Sequence, residues 1–214
     1  MNRREFLHST AALAAAAALP PSLAAASSAP RRMKIALTPG SIGVSVTSQK
    51  ELNGLAHRNR FESVEPRGDE LASMSPTQVA EILADLKSKQ LVWSATGLPV
   101  DFRKDDRTFQ EGLARLPRTA AGLQRAGATR IGTWLSPSDA ALTYRANFKQ
   151  HATRLREVGR ILKDHGIRLW LEYVGTQLLL VGKRYPFVHT LAETRELIAE
   201  IGTGNVGLVL DPWH

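Results

Sequence analysis

Between Lys34 and Leu210 the chain alternates short apolar runs with longer amphipathic ones, and this alternation limits the fold more than any other feature. Lys34–Thr38 reads as a strand closed by Pro39 and Gly40; Phe61–Glu65 reads as a second, ended by Pro66 and turned by Arg67 and Gly68. Leu91–Ala95, Arg130–Leu135, Ile167–Tyr173 and Val206–Leu210 supply four more. Ser48–His57 reads as the first helix. The next starts with Ser75 as N-cap and Pro76 in the first helical position, and carries Val79, Ile82, Leu83 and Leu86 at helical spacing. Thr108–Ala126 follows, with a break or re-entry expected near Pro117, since proline removes a hydrogen bond and crowds the preceding turn. Leu142–Asp164 ends at His165-Gly166, where glycine suits a left-handed cap. Thr190–Ile201, with apolar Leu191, Leu197, Ile198 and Ile201, stops before Gly202 and Gly204. A strand–helix unit thus recurs about every 30–35 residues, which predicts parallel strands joined by crossover helices.

An open doubly wound sheet and a (β/α)₈ TIM barrel both satisfy that order. A dinucleotide-binding sheet would carry Gly-x-Gly-x-x-Gly in its first strand-to-helix turn; Pro39-Gly40-Ser41-Ile42-Gly43 lacks the spacing, and no P-loop lysine motif occurs. Polar residues instead recur at strand ends: Thr38, Glu65, Thr96, Ser136, Glu172 and Asp211. In a barrel those ends surround one mouth. The expected fold is therefore α/β, a (β/α)₈ TIM barrel over residues 34–214. A complete barrel needs eight strands and about 250 residues, so the sequence is expected to cover roughly the first six strands.

Ahead of this domain, Arg3-Arg4 precedes Phe6-Leu7, an apolar run spans Ala11–Leu19, and Ala24-Ala25-Ala26 offers a cleavage site. That order is a secretory signal, and the arginine pair resembles the twin-arginine (Tat) class. Residues 1–26 are read as the signal and 27–33 as a linker. The apolar run is far shorter than the ~20 residues that span a bilayer, so no stable membrane anchor is expected. Removing the signal takes away two arginines and one glutamate and lowers the formal charge from +8 to +7. The remaining basic residues lie in segments that read as helix exteriors, with no interleaved aromatics, which argues against a nucleic-acid partner. The chain has no cysteine, which excludes disulfides and thiolate chemistry.

Strand alternation sorts the candidate site. Trp170 and Glu172 share one face of the fifth strand and Leu169 and Leu171 the other; Gly207, Val209 and Asp211 oppose Leu208 and Leu210 in the sixth. With the leucines packed on helices, Glu172 and Asp211 point into the barrel at the same end of neighbouring strands. One divalent ion there, Mn²⁺, Mg²⁺ or Co²⁺, with Zn²⁺ also compatible, would suit oxygen-rich ligation with a nearby imidazole. Each residue also has a plainer reading: Asp before Pro begins a turn, and a strand-end Glu serves as a rim charge. Glu65 is a candidate for substrate contact or for a core ion pair. Trp134 and Trp170 are inward-phased candidates for an apolar stacking wall of the site or for barrel filling. Lys183 and Arg184, in the loop after the fifth strand, read as solvated residues, the alternative being contact with an anionic ligand group; His57, His151, His165 and His189 read as surface or cap residues.

Leu171-Glu172-Tyr173-Val174-Gly175, then Phe187–Glu193, then Asn205–His214 with its closing Asp211-Pro212-Trp213-His214, resemble the sugar phosphate isomerase/epimerase family with a xylose isomerase-like TIM barrel. The resemblance implies Glu172 as metal ligand and acid/base, Asp211 as metal ligand and His214 as a contact to substrate hydroxyls. A histidine from a seventh strand and a second glutamate from an eighth have no positions here. It further implies a metal-dependent sugar isomerase or epimerase acting through an enediolate on a keto-sugar. Alternatives are a metal-assisted lyase or hydrolase of glycosides or oxidised sugars on the same barrel, and a non-catalytic sugar-binding remnant. A relative with this fold cleaves abasic DNA; the signal and the absence of a basic groove count against that reading. Expected partners are a small carbohydrate and the Tat machinery; a homo-oligomer is allowed by the sequence but not required by it. The expected location is the periplasm or outside the cell.

Overall fold

The computed structural model describes residues 33–214. The signal segment 1–26 and the linker up to residue 32 lie outside the described residues. In chain order the strands are β1 (Ala36–Leu37), β2 (Ser63–Val64), β3 (Val92–Trp93), β4 (Thr96–Gly97), β5 (Arg130–Trp134), β6 (Ser138–Asp139), β7 (Arg168–Glu172), β8 (Tyr185–Pro186) and β9 (Val206–Val209). The helices are α1 (Gln49–Arg58), α2 (Gly68–Ser73), α3 (Pro76–Ser88), α4 (Asp106–Arg125), α5 (Tyr144–Asp164), α6 (Gln177–Leu180) and α7 (Leu191–Ile201).

Parallel pairing runs β1-β2-β3 and then β4-β5-β7-β9, with β3 and β4 parts of one segment that changes partner at Ser94-Ala95. The staves therefore stand in space in the order in which the chain makes them. A doubly wound sheet reverses its order at a switch point; none occurs here, and the arrangement is that of a TIM barrel.

Local chemistry sets the helix ends. Ser48 Oγ accepts from Glu51 N at 3.2 Å, and Asp105 accepts from Thr108 N at 2.9 Å. Ser75 with Gln78 and Thr190 with Glu193 form complete capping boxes. Gly166 and Gly202, at φ +69° and +67°, take the left-handed conformation that stops α5 and α7.

Two expectations need correcting. Helix α4 is continuous through Pro117. Pro117 is exposed while Leu116, Thr119, Ala120 and Leu123 are buried, so the missing hydrogen bond falls on the wet face and the packed face holds the helix together. Arg67-Gly68, expected as a turn, opens helix α2 instead. Helices α2 and α4 meet backbone to backbone: a Cβ on Gly122 would lie 2.6 Å from the N and Cα of Ala72. Mid-helix glycine reads as a weak point in sequence, and only the neighbour gives it a purpose.

The outward residues Ile131, Leu135, Leu169 and Leu171 are fully buried against Leu116, Leu155, Leu162 and Leu197 of the helical layer. A smaller cluster of Leu37, Leu52, Ala56, Val64, Leu86 and Leu91 lies beneath β1 to β3. Two further assignments change. His151 is not a surface residue but is buried between Phe102 and Phe187, at ring separations of 5.2 and 4.6 Å, and that burial pushes its imidazole down to about 4. Arg154, on the same helix, is also buried; its Nη1 donates to the carbonyls of Phe102 and Lys104 at 2.9 and 2.6 Å. Finally, β6 and β8 pair antiparallel and join the loops that follow β5 and β7. No helix among the described residues is long and apolar enough to cross a membrane.

Candidate active site

Strands β7 and β9 are hydrogen-bonded neighbours with Glu172 in register with Val209, so Asp211, two residues on, projects from the same face just beyond the strand end. Asp211 Oδ1 accepts from Trp213 N at 2.9 Å, and His214 N donates to the Asp211 carbonyl at 3.1 Å. The tetrapeptide is thus a turn, and the turn folds the imidazole back over the strand ends. Asp211 uses one carboxylate oxygen to hold it. The other, Oδ2, stands 4.0 Å from His214 Nε2, and Glu172 Oε1 stands 3.9 Å from the same nitrogen. These gaps are too long for hydrogen bonds and leave room between the groups.

Ligand atoms from Glu172, Asp211 and His214 all lie within 4.8 Å of one another. Atoms bound to one ion at about 2.3 Å stand no more than about 4.6 Å apart, so a small closure lets the three share one cation. Side-chain exposure falls from 41% at Asp211 to 27% at Glu172 and 12% at His214. His214 Nδ1 is buried without a partner among the described residues. Burial, and then the neighbouring Asp211 carboxylate, push the Glu172 carboxyl up, while His214 pulls it the other way. Two carboxylates held together in a partly dry place favour a shared proton or a cation. The donor set, two oxygens and an imidazole, fits a divalent metal.

The remaining candidates surround this cluster unevenly. Trp134 is the register partner of Glu172 and is 47% exposed at the rim. Trp170 lies one inward position below Glu172, and its indole Nε1 is buried without an acceptor among the described residues. Glu65 stands across the mouth, accepting from Thr96 Oγ1 at 3.2 Å and Gly97 N at 3.3 Å, beside a cavity of about 450 Å³ lined by Pro39, Val46, Arg67 and Asp69. Among the described residues its carboxylate is therefore partnered by a hydroxyl and an amide, and by no arginine. Lys183 and Arg184 lie just before β8, with the Arg184 guanidinium 5.0 Å above the Tyr185 ring.

Two residues of this region carry no sequence signal. Arg103 stacks on Trp134 with Cζ 4.5 Å from the ring. Gly175 faces the turn: a Cβ there would sit 2.7 Å from the His214 carbonyl oxygen and 3.4 Å from that of His189. Gly175→Ala is therefore expected to displace the Asp211–His214 turn and weaken Mn²⁺ binding by roughly tenfold, the scale of substitutions just outside a metal's ligands, with far-ultraviolet circular dichroism unchanged. Calorimetric titration with Mn²⁺ checks this; equal affinity in the variant would show that the turn does not depend on Gly175.

The fold and the cluster define a class, an α/β barrel whose acidic site lies at the carboxyl ends of its strands. Residues 55–214 match the family described as xylose isomerase-like TIM barrel, and the chain belongs to that family. Residues 1–20 match the twin-arginine translocation signal sequence. A xylose isomerase domain protein from Alicyclobacillus acidocaldarius is 31% identical, with TM-score 0.68 over 83% of this chain and 62% of its own. D-psicose 3-epimerase from Clostridium cellulolyticum shares the fold at 16% identity and TM-score 0.59, over 76% of this chain and 57% of its own. The IOLI protein, solved with a zinc atom, shares it at 19% and 0.63, over 85% and 64%. The chain thus spans under two thirds of the length of these solved relatives. No curated protein matches the sequence.

Proposed function

We infer that this protein is an exported, divalent-metal-dependent sugar isomerase or epimerase that moves a proton on the carbon beside a carbonyl. The observation that carries this reading is the convergence of Glu172, Asp211 and His214 at the ends of two adjacent parallel strands. A divalent ion bound there would polarise the carbonyl and offset the charge of an enediolate.

The chain's own groups supply the rest. Asp211 fixes the turn with Oδ1 and offers Oδ2 as a ligand. Glu172 presents a carboxyl whose proton affinity is raised by burial and by Asp211, which suits a group that takes and returns a carbon-bound proton. His214 turns Nε2 toward the same space, where it bonds a substrate hydroxyl when Glu172 and Asp211 alone hold the ion and otherwise completes the ion's ligands. Trp134 and Trp170 offer apolar surface to the C–H faces of a sugar, and Glu65 a further acceptor. Sugar epimerases with this fold support the chemistry, and a metal-bearing relative supports the cofactor. A twin-arginine signal supports passage through the Tat machinery to the periplasm or beyond, a route compatible with a metal loaded before export.

The test is solvent exchange. With Mn²⁺ and D-fructose in D₂O, the protein is expected to place deuterium at the carbon next to the carbonyl, read by proton NMR, and to stop on chelation. Exchange that continues undiminished after metal removal would overturn the mechanism.

A further inference from the structure

We propose that Arg103 recognises an anionic group on the substrate, which makes the preferred substrate a sugar acid, a polyhydroxy compound carrying a carboxylate, over a neutral sugar. The inference rests on reading Glu172 and Asp211 as the reaction centre.

Arg103 lies in the loop after β4, on the side of the barrel where strand ends gather. Its Nη1 donates to the Trp134 carbonyl at 2.7 Å and reaches Thr133 Oγ1 at 3.4 Å, which pins the side chain to the end of β5. The guanidinium lies against two aromatic rings: Cζ is 4.8 Å from the ring centre of Phe102, which is fully buried, and 4.5 Å from that of Trp134. These contacts help to fix the cation's orientation. Nε pairs with the Asp101 carboxylate at 3.4 Å, and Nη2 has no partner among the described residues.

Other anchored arginines differ. Arg154 spends its donors on two carbonyls and Asp106, Arg156 on the end of α7 and Glu200, and Arg67 on Glu70 and the Val46 carbonyl. Arg103 is held as firmly and remains 24% exposed; what sets it apart is its place, bonded to the carbonyl of Trp134. Trp134 is in register with Glu172 on the next strand. Neighbouring strands stand about 4.8 Å apart, so the guanidinium bonded to the Trp134 carbonyl lies one strand over from Glu172. An extended sugar acid reaches across such a spacing, with its carbonyl end at Glu172 and its acid end at Arg103. A cation between Glu172 and Asp211 would offset the negative charge that otherwise repels such a ligand.

The experiment measures binding of D-glucuronate, D-glucose and D-glucose 6-phosphate by calorimetry, each with and without Mn²⁺. Glucuronate is expected to bind at least about tenfold tighter than glucose, since a site built around a charged donor discriminates against ligands that lack its partner. Arg103→Met is expected to erase that preference and leave Mn²⁺ affinity within about twofold; Arg103→Lys, which keeps the charge without the fork, is expected to retain part of it. If the methionine variant does not fold, the lysine variant decides the matter by its intermediate preference. Equal binding of glucuronate and glucose by the parent, or a preference that survives in both variants, overturns the inference. Tighter binding of the sugar phosphate than of glucuronate overturns the carboxylate assignment and leaves a phosphate reader. Loss of Mn²⁺ binding with the glucuronate preference intact would instead count against the metal reading of Glu172 and Asp211.

Discussion

Asp211→Asn is expected to lower Mn²⁺ affinity by more than about 100-fold, beyond the 10–100-fold typical of residues that merely support a ligand. The substitution keeps the shape of the side chain and removes its charge. Its amide oxygen can still accept from Trp213 N, the bond that closes the turn, so His214 is expected to stay in place. What is lost is the anionic Oδ2 facing His214 and Glu172. Calorimetric titration of parent and variant at pH 7 reads the difference, and far-ultraviolet circular dichroism shows that the fold is kept. A variant that binds within a few-fold of the parent would mean that Asp211 serves the turn alone. In the parent, Mn²⁺ affinity is also expected to fall as the pH drops, because Glu172 must lose its proton to bind metal and its carboxyl is pushed up.

Glu172→Gln is expected to act in opposite directions on catalysis and on stability. Removing a positioned acid/base group costs about 10²–10⁴-fold, so deuterium incorporation into the ketose should fall by that factor. The metal-free protein should at the same time become more stable at pH 7. Burial first, and Asp211 next, raise the Glu172 carboxyl above its ordinary value of 4.5. The folded state therefore binds the extra proton more tightly than the unfolded state does. Stability in the metal-free parent is highest below the ordinary value, falls as the pH rises through the window between the ordinary and the raised value, and stays lower above it. Glutamine carries no such charge. The gap between variant and parent in melting temperature should be present at pH 7 and close below about pH 4.5. A variant melting below the parent at pH 7 would show that the carboxylate pair is not under electrostatic strain. Saturating Mn²⁺ should reverse the order, since only the parent gains the stabilisation that comes from binding the folded state.

Much of the barrel was legible because its signals are local. The N-cap at Ser75 and the left-handed glycine at 166 lie within a few residues of the groups they satisfy. Alternation along β7 likewise tells that Leu169 and Leu171 share a face opposite Glu172, and both leucines are fully buried. Pro117 misled because its cost depends on which side of α4 meets water, and His151 because a helix position does not disclose the aromatic rings brought over it from residues 102 and 187.

The candidate site divides along the same line. Sequence alone determined the parallel strand–helix order, the export signal, and the presence of a carboxylate at the end of each of two apolar strands, because strand phase and strand ends are properties of single segments. Only the tertiary structure decided that Asp211 spends one oxygen on a turn and keeps the other for Glu172 and His214, that Gly175 leaves the space the turn occupies, and that Arg103 packs against Phe102 and Trp134. Those facts arise between segments distant in the chain, where distances are set by packing of the sheet and its loops, and no residue pattern along one segment encodes them.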